Sequence, residues 1–394
     1  MVANAPVHRL ESSYTSHNRV QLIRGGPAYF SAMEDVINAA RYTVHLQVYI
    51  FEFDETGRRI LQALERAAAR KVNVYVILDG FASRHFPEAA IERIKSCGIR
   101  FRFFEPLFRT KSFYIGRRMH HKILVADGRF AITGGINIGN RYNKINSDPP
   151  WMDWAISFEG QAAIEAHFRC LELWPPKEVS MMPVTPVFHV NGNSIPDCLV
   201  RLRVNDWYGN RHQITRSYLE LMHRVRHEAV LLCSYFIPGH QFRAHLLKAL
   251  RRGVKIKLIL TGRSDVAFAK PAERFLYPWL LRHGVEIYEN HTTMVHGKIA
   301  VFDNLWVTAG SYNLNNISAW SGIEMNVDVR DPVFASSVSQ TLHAVIRREC
   351  LRVGPADYAR KNHWWNTLHQ RLSYEIVRLL IWLFTRHPRF KSGN

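Results

Sequence analysis

A pattern that occurs twice constrains this chain more than any other feature. His120, Lys122 and Asp127 stand at the spacing His-x-Lys-x4-Asp and are followed by Gly134 and Asn137. His296, Lys298 and Asp303 repeat the spacing and are followed by Gly310, Ser311 and Asn313. From average residue usage one copy arises on the order of once in ten thousand positions. Two copies, each followed by an apolar run and a Gly-x-x-Asn at the same offset, are not chance. The chain has to fold as a duplication.

Each copy reads as a β-hairpin. After His-x-Lys comes an apolar run (Ile123–Ala126, Ile299–Phe302), then a turn at Asp-Gly or Asp-Asn, then a second run (Phe130–Thr133, Leu305–Thr308). His and Lys two apart in a strand point to one face, so each copy is expected to aim an imidazole and an ammonium at one spot. The Gly-x-x-Asn beyond the second strand brings an amide to the same rim. A nucleophile, a positive charge and a hydrogen-bond donor suit a phosphate.

The surrounding chain repeats as well. In the first half, strands are expected at 20–23, 42–53, 72–78 and 99–104, with helices at 28–40, 57–70 and 87–96. In the second half, helices are expected at 215–227, 242–252 and 271–283, with strands at 229–236, 254–260 and 285–288. Tyr49 and Tyr235 match at an offset of 186 residues, as do Gly98 and Gly284, whereas the two motif histidines are offset by 176. The first half therefore carries about ten extra residues, basic and aromatic, within 105–118. Lys71 stands where the second half has the helix-capping Gly253, a left-handed position that costs a non-glycine residue up to ~1 kcal/mol. Alternating strands and helices define an α/β class. Two similar α/β halves are expected to face each other across a pseudo-two-fold, with one active site between them. The expected units are 19–173, a proline-rich linker at 174–197, a second half at 198–360, and a basic, aromatic, amphipathic tail at 361–394.

Charge narrows the partner. Against 33 Asp and Glu stand 52 Lys and Arg, a formal charge of +19. That balance favours a polyanion, either an anionic membrane surface or nucleic acid. Five widely spaced cysteines without a Cys-x-x-Cys give neither a zinc ribbon nor a disulfide framework. No Cys, His and carboxylate set has ligand spacing, so no metal or other cofactor is expected. No signal peptide is visible, and no run of eighteen apolar residues suggests a spanning helix.

These residues resemble the phospholipase D superfamily, whose hallmark is a duplicated HxKxxxxDxxxxxxGxxN. Within it the chain is most similar to bacterial cardiolipin synthases of the short type lacking N-terminal transmembrane helices. The similarity is carried by residues 117–142, 151–160, 235–239, 295–315 and 362–366. It implies two α/β/α halves with a mixed central sheet in each, and phosphatidyl transfer through a phosphohistidine without a metal. One motif histidine attacks the phosphodiester and the other protonates the leaving alcohol; His120 is expected as nucleophile and His296 as acid and base. Lys122, Lys298, Asn137 and Asn313 would hold the non-bridging oxygens, and Ser311 could add a hydroxyl where Gly135 cannot. Asp153 and Glu324 match the family's downstream acidic residues and could orient the histidines. Asp127 and Asp303 belong to the signature, but their place near the turn suits bracing the hairpin.

The remaining expectations follow from position. His121 should point away from His120. Tyr49, Tyr235 and Phe236 line either the pocket or the core, and Asp79 and Asp265 serve either binding or the turn. Arg109, Lys111, Arg117 and Arg118 in the extra segment should meet a lipid surface or headgroup, although a nucleic acid would use the same residues. Leu372, Ile376, Leu379 and Leu383 share a helical face that suits either anionic lipid or the protein's own core. The substrate expected is anionic phospholipid, phosphatidylglycerol in particular. The enzyme should be peripheral on the cytoplasmic face of the inner membrane, or cytoplasmic. Nucleic acid is disfavoured. A phospholipase D hydrolase and a superfamily nuclease are the alternatives, and intact motifs disfavour a catalytically dead binding module.

Overall fold

A computed structural model describes residues 13–106, 117–145, 149–182, 198–206, 209, 211–264, 268–314, 322–356, 358 and 363–386. The first half runs β1 (Asn18–Arg24), α1 (Pro27–Ala39), β2 (Thr43–Val48), α2 (Glu55–Ala69), β3 (Asn73–Asp79), α3 (Glu88–Ser96) and β4 (Arg100–Phe104). It continues with β5 (Arg118–Met119), β6 (Ile123–Ala126), β7 (Phe130–Gly134), β8 (Trp154–Gly160), α4 (Gln161–Leu171) and the short α5 (Pro176–Ser180). The second half runs β9 (Leu199–Asp206), β10 (Arg211–His212), α6 (Gln213–Arg224), β11 (Glu228–Cys233), α7 (His240–Arg251), β12 (Lys255–Thr261), α8 (Ala269–Phe275), α9 (Tyr277–Arg282) and β13 (Glu286–Asn290). It closes with β14 (Ile299–Phe302), β15 (Trp306–Gly310), β16 (Gly322–Arg330), α10 (Pro332–Glu349), β17 (Cys350–Arg352) and α11 (Trp364–Arg386).

The duplication is visible strand for strand. One sheet is ordered β1-β8-β7-β6-β2-β3-β4, and the other contains β9-β16-β15-β14-β11-β12-β13. In each, three strands pair in parallel (β2-β3-β4, β11-β12-β13) and the motif hairpin adds antiparallel strands beside them. Parallel strands need helical crossovers, and α2, α3, α7 and the α8–α9 pair supply them. Each half has its own outer core, where α1–α3 or α6–α9 cover a sheet. A third core lies between the sheets and includes Trp154, Ile156, Phe158, Val200, Leu202, Val230, Leu232, Val338 and Leu342. The two halves are therefore joined by apolar burial.

Helix α2 shows how local sequence decides. Asp54 caps it, accepting from the Gly57 N–H at 3.0 Å, while Ile60, Leu61, Leu64 and Ala67 recur on the buried face. It ends with Lys71 at φ 69°, with Lys71 N bonded to Ala68 O and Val72 N to Ala67 O. Gly253 closes α7 with the same pair of bonds at φ 84°.

Three expectations need correction, and one strand goes beyond them. The strand expected to begin at His120 begins at Ile123. His120–Lys122 form an extended link whose first two N–H groups donate across the halves to Ile323 O. The strand expected over 42–53 ends at Val48. The helix expected over 271–283 breaks at Leu276 into α8 and α9, because Pro278 cannot donate and its ring crowds the preceding turn. Finally, β9 was not anticipated. Arg201 and Arg203 interrupt its apolar residues, and Arg201 is buried with Asp328 and Glu220, both at 2.9 Å.

Candidate active site

Two crossed backbone links build the site. The N–H groups of His120 and His121 both donate to Ile323 O, at 2.9 and 3.1 Å. Those of His296 and Gly297 both donate to Met152 O, at 2.8 and 2.9 Å. Each histidine is thus hung on the carbonyl just before the other half's acidic residue. The carboxylates follow: Glu324 Oε2 lies 2.9 Å from His120 Nδ1, and Asp153 Oδ2 lies 2.7 Å from His296 Nδ1. Glu324 and Asp153 are buried, whereas the imidazoles keep 21% and 16% of their side-chain exposure. A carboxylate at Nδ1 holds the ring proton there and leaves the Nε2 lone pair for chemistry.

Both rings are held below the ordinary histidine range. Burial is the main cause at each. At His120 the next influence is Glu324, which opposes it. At His296 the next is Lys298, which adds to it, and the ring falls to about 4. Each lysine also depresses the opposite half's histidine, so the two motif sets act on one volume of space.

The lysines are buried, and each ammonium bonds its own histidine's carbonyl, Lys122 to His120 O and Lys298 to His296 O. Lys298 Nζ also lies 3.2 Å from Ser234 Oγ. Burial lowers Lys122 to about 7. Tyr49 stacks edge-on against His120 at 4.6 Å, and Tyr142 and Trp151 pack on His296 at 5.7 and 5.6 Å. Phe236 belongs to the core.

The other motif residues divide. Asp127 lies under the hairpin turn and accepts from the N–H groups of Arg41, Tyr42 and Thr43. Asp303 does the same for Arg226, His227 and Glu228. Both sit away from the imidazoles, at the far end of their hairpins, so these signature residues brace. Asn137 corrects its expected role: its Oδ1 accepts from Ile50 N–H at 3.1 Å and its amide donates to Tyr142 at 3.0 Å. Asn313 differs, since its Oδ1 has no hydrogen-bond partner among the described residues. Ser311 bonds Glu324, so it steadies a carboxylate. At Gly135 a Cβ would stand 2.5 Å from Asp153 Oδ1, which explains the glycine there.

His121 is buried with Nε2 2.7 Å from Gln47 Oε1. Asp79 holds its turn through Phe81 and Ala82 N–H and also accepts from Met119 N–H at 2.9 Å, fixing the approach to His120. Arg118 is turned inward, to Glu105 O at 2.9 Å and Asp79 at 3.6 Å. Arg117 pairs with Asp206 at 2.9 Å. Neither has the free, outward placement expected for lipid contact. Arg109, Lys111 and Asp265 lie outside the described residues. Sequence reasoning missed Ser234, Gln47, Tyr142 and Trp151; a Tyr and a Trp flanking each side of 143–150 were the available signal for the last two.

Comparison with known proteins identifies the family. Residues 33–154 and 218–346, one segment in each half, match the family described as "Cardiolipin synthase, PLD-like domain". The chain is 31% identical over 390 residues to cardiolipin synthase B of Escherichia coli (strain K12), covering 96% of this chain and 94% of that one. It is 26% identical to a cardiolipin synthase of Clostridium perfringens (strain SM101 / Type A), covering 94% and 78%. In fold it resembles phosphatidylserine synthase of Haemophilus influenzae Rd KW20, with a TM-score of 0.71, 14% identity, and 96% and 99% of the two chains covered.

Proposed function

Since this chain belongs to the phospholipase D-like family of cardiolipin synthases, we propose that it is a phosphatidyltransferase that moves a phosphatidyl group from phosphatidylglycerol to the hydroxyl of a second phospholipid. The observation that carries the chemistry is the pair of histidines, each with a carboxylate on Nδ1. In the first step His120 Nε2 attacks phosphorus, a phosphorus–nitrogen bond forms, and the bond to the glycerol oxygen breaks. His296 gives that oxygen its proton, and glycerol leaves. In the second step His296 takes the proton of the incoming lipid hydroxyl, whose oxygen displaces His120 from phosphorus.

Formal charge supports one neutral and one protonated imidazole, whichever ring takes each role. Lys122 and Lys298 balance Glu324 and Asp153. A bound phosphodiester adds one negative charge, which one imidazole proton neutralises. A neutral nucleophile and a protonated acid are the pair the first step needs. The arriving anion raises the proton affinity of both rings, which brings His296 up from about 4. The same lysines stabilise charge developing on the phosphoryl oxygens.

Incubating the pure protein with labelled phosphatidylglycerol in mixed micelles tests the reading. Cardiolipin with one glycerol released per turnover is expected. Phosphatidic acid as the sole product would assign a hydrolase, and cleavage of nucleic acid without lipid turnover would assign a nuclease. A lipid substrate calls for peripheral action at a membrane surface, and the cytoplasmic face of the inner membrane is the side we propose.

A further inference from the structure

Helix α11 is apolar on two opposite faces. Gln370, Ser373, Tyr374 and Val377 are buried, recurring at the spacing of one helical face. That face lies on α8, where the Tyr374 ring is 5.0 Å from Phe275. At ~100° per residue, Trp364, Trp365, Leu368, Leu372, Ile376 and Leu379 occupy an arc of about 120° centred almost opposite. Their exposures run from 40% to 64%. Glu375 falls near one edge of that arc, paired with Arg378 at 3.0 Å, and the six apolar groups beside it form the kind of exposed stripe that marks an interaction surface.

We propose that this stripe docks the protein on an anionic bilayer, with α11 lying in the plane of the interface beside the mouth of the active site. The proposal rests on the lipid-acting reading above and adds the surface that delivers the enzyme to its substrate. Charge selects the occupant. Between 361 and 394 the sequence carries six Lys and Arg and one acid, Glu375. Exposed Arg371 and Arg378 lie along one edge of the stripe, where basic residues meet anionic headgroups. Trp364 and Trp365 stack at 3.6 Å at the first turn, aromatic groups suited to the headgroup level. No helix among the described residues is long and apolar enough to cross a membrane, so the stripe suits lying in the interface.

Placement ties the surface to the site. Glu273 of α8 accepts from the Phe236 N–H at 2.9 Å. Phe236 is two residues beyond Ser234, the hydroxyl beside Lys298. Phe268, just before α8, is itself 49% exposed. The docked helix therefore stands one helix away from the catalytic lysine.

The test uses the full chain and vesicles of phosphatidylglycerol and phosphatidylcholine. Leu372→Gln, Ile376→Gln and Leu379→Gln combined should weaken co-sedimentation with the vesicles by about tenfold or more, with circular dichroism unchanged. Unaltered vesicle affinity overturns the proposal. So does a concentration-dependent dimer that the triple variant abolishes while vesicle affinity stays, which assigns the stripe to a second copy. A second measurement guards against a triple variant that fails to fold: phospholipids brominated on their acyl chains should quench tryptophan emission, and Trp364→Phe with Trp365→Phe should lose part of that quenching. Identical quenching in both proteins also overturns it. Vesicle binding that ignores the stripe, alongside cardiolipin made in micelles, refutes this surface alone. Binding that depends on the stripe, with no transfer product, refutes the enzymatic reading alone.

Discussion

Glu324 Oε2 lies 2.9 Å from Nδ1 of His120, a residue 204 positions earlier and in the other half of the chain. Asp153 and His296 make the reciprocal pair across 143 positions at 2.7 Å. Neither half contains a complete histidine–carboxylate unit. Glu324→Gln and Asp153→Asn should each keep the fold and lower kcat by about 10²- to 10⁴-fold, because the wrong tautomer is then favoured at Nδ1. Turnover of lipid by either variant at the parent rate would remove the carboxylates from the mechanism.

The covalent intermediate distinguishes the two imidazoles. In His296→Ala, a phosphatidyl group should accumulate on His120, detected by mass spectrometry of peptides after an acid-free quench. The surroundings of the two rings lean the other way, since a carboxylate is the second influence at His120 and a lysine at His296. An adduct on His296 in the His120→Ala protein, with none in the reverse variant, would exchange the roles.

Asp127 and Asp303 should matter for stability. Each accepts three backbone N–H groups at a hairpin turn. Asp127→Ala should cost about 2–4 kcal/mol in urea unfolding, as charged acceptors are lost from buried donors. The kcat of the folded fraction should hold. A large fall in kcat at unchanged stability would return these residues to the chemistry.

Lys122 predicts an alkaline limb. Burial lowers its ammonium to about 7, so the charge is present below that pH and lost above it. The kcat/KM for phosphatidylglycerol, which reports the free enzyme, should fall as pH rises through about 7. The limb in kcat should lie higher, because bound phosphate favours the ammonium. Superimposable limbs in the two profiles would contradict this.

Lys71→Gly should stabilise the protein. Lys71 sits at φ 69° in the position that Gly253 fills in the other half. Relieving that conformation is worth about 0.5–1 kcal/mol, visible as a higher midpoint in denaturant with activity retained. A lower midpoint would show that the lysine side chain contributes more than the turn costs.

The sequence by itself determined the duplication, the alternation of strands with helices and the motif hairpins. These depend on spacing and periodicity within one segment, which a linear chain displays directly, whereas Asp153 and Glu324 were legible only through the resemblance to the family. Tertiary structure decided which carboxylate serves which histidine, because Ile323 and Met152 carry the acids to the opposite half through backbone bonds that leave no mark in local sequence. It also turned Arg118 inward to Asp79 and Glu105, and spent the Asn137 amide on Ile50 and Tyr142. Strand β9 is not legible in the sequence because Arg201 and Arg203 interrupt its apolar residues, and Asp328 and Glu220 surround Arg201 only in the fold. A buried charge is affordable only with its partners in place, and those partners lie 127 and 19 residues away, brought near only when β16 pairs with β9 and α6 packs on it.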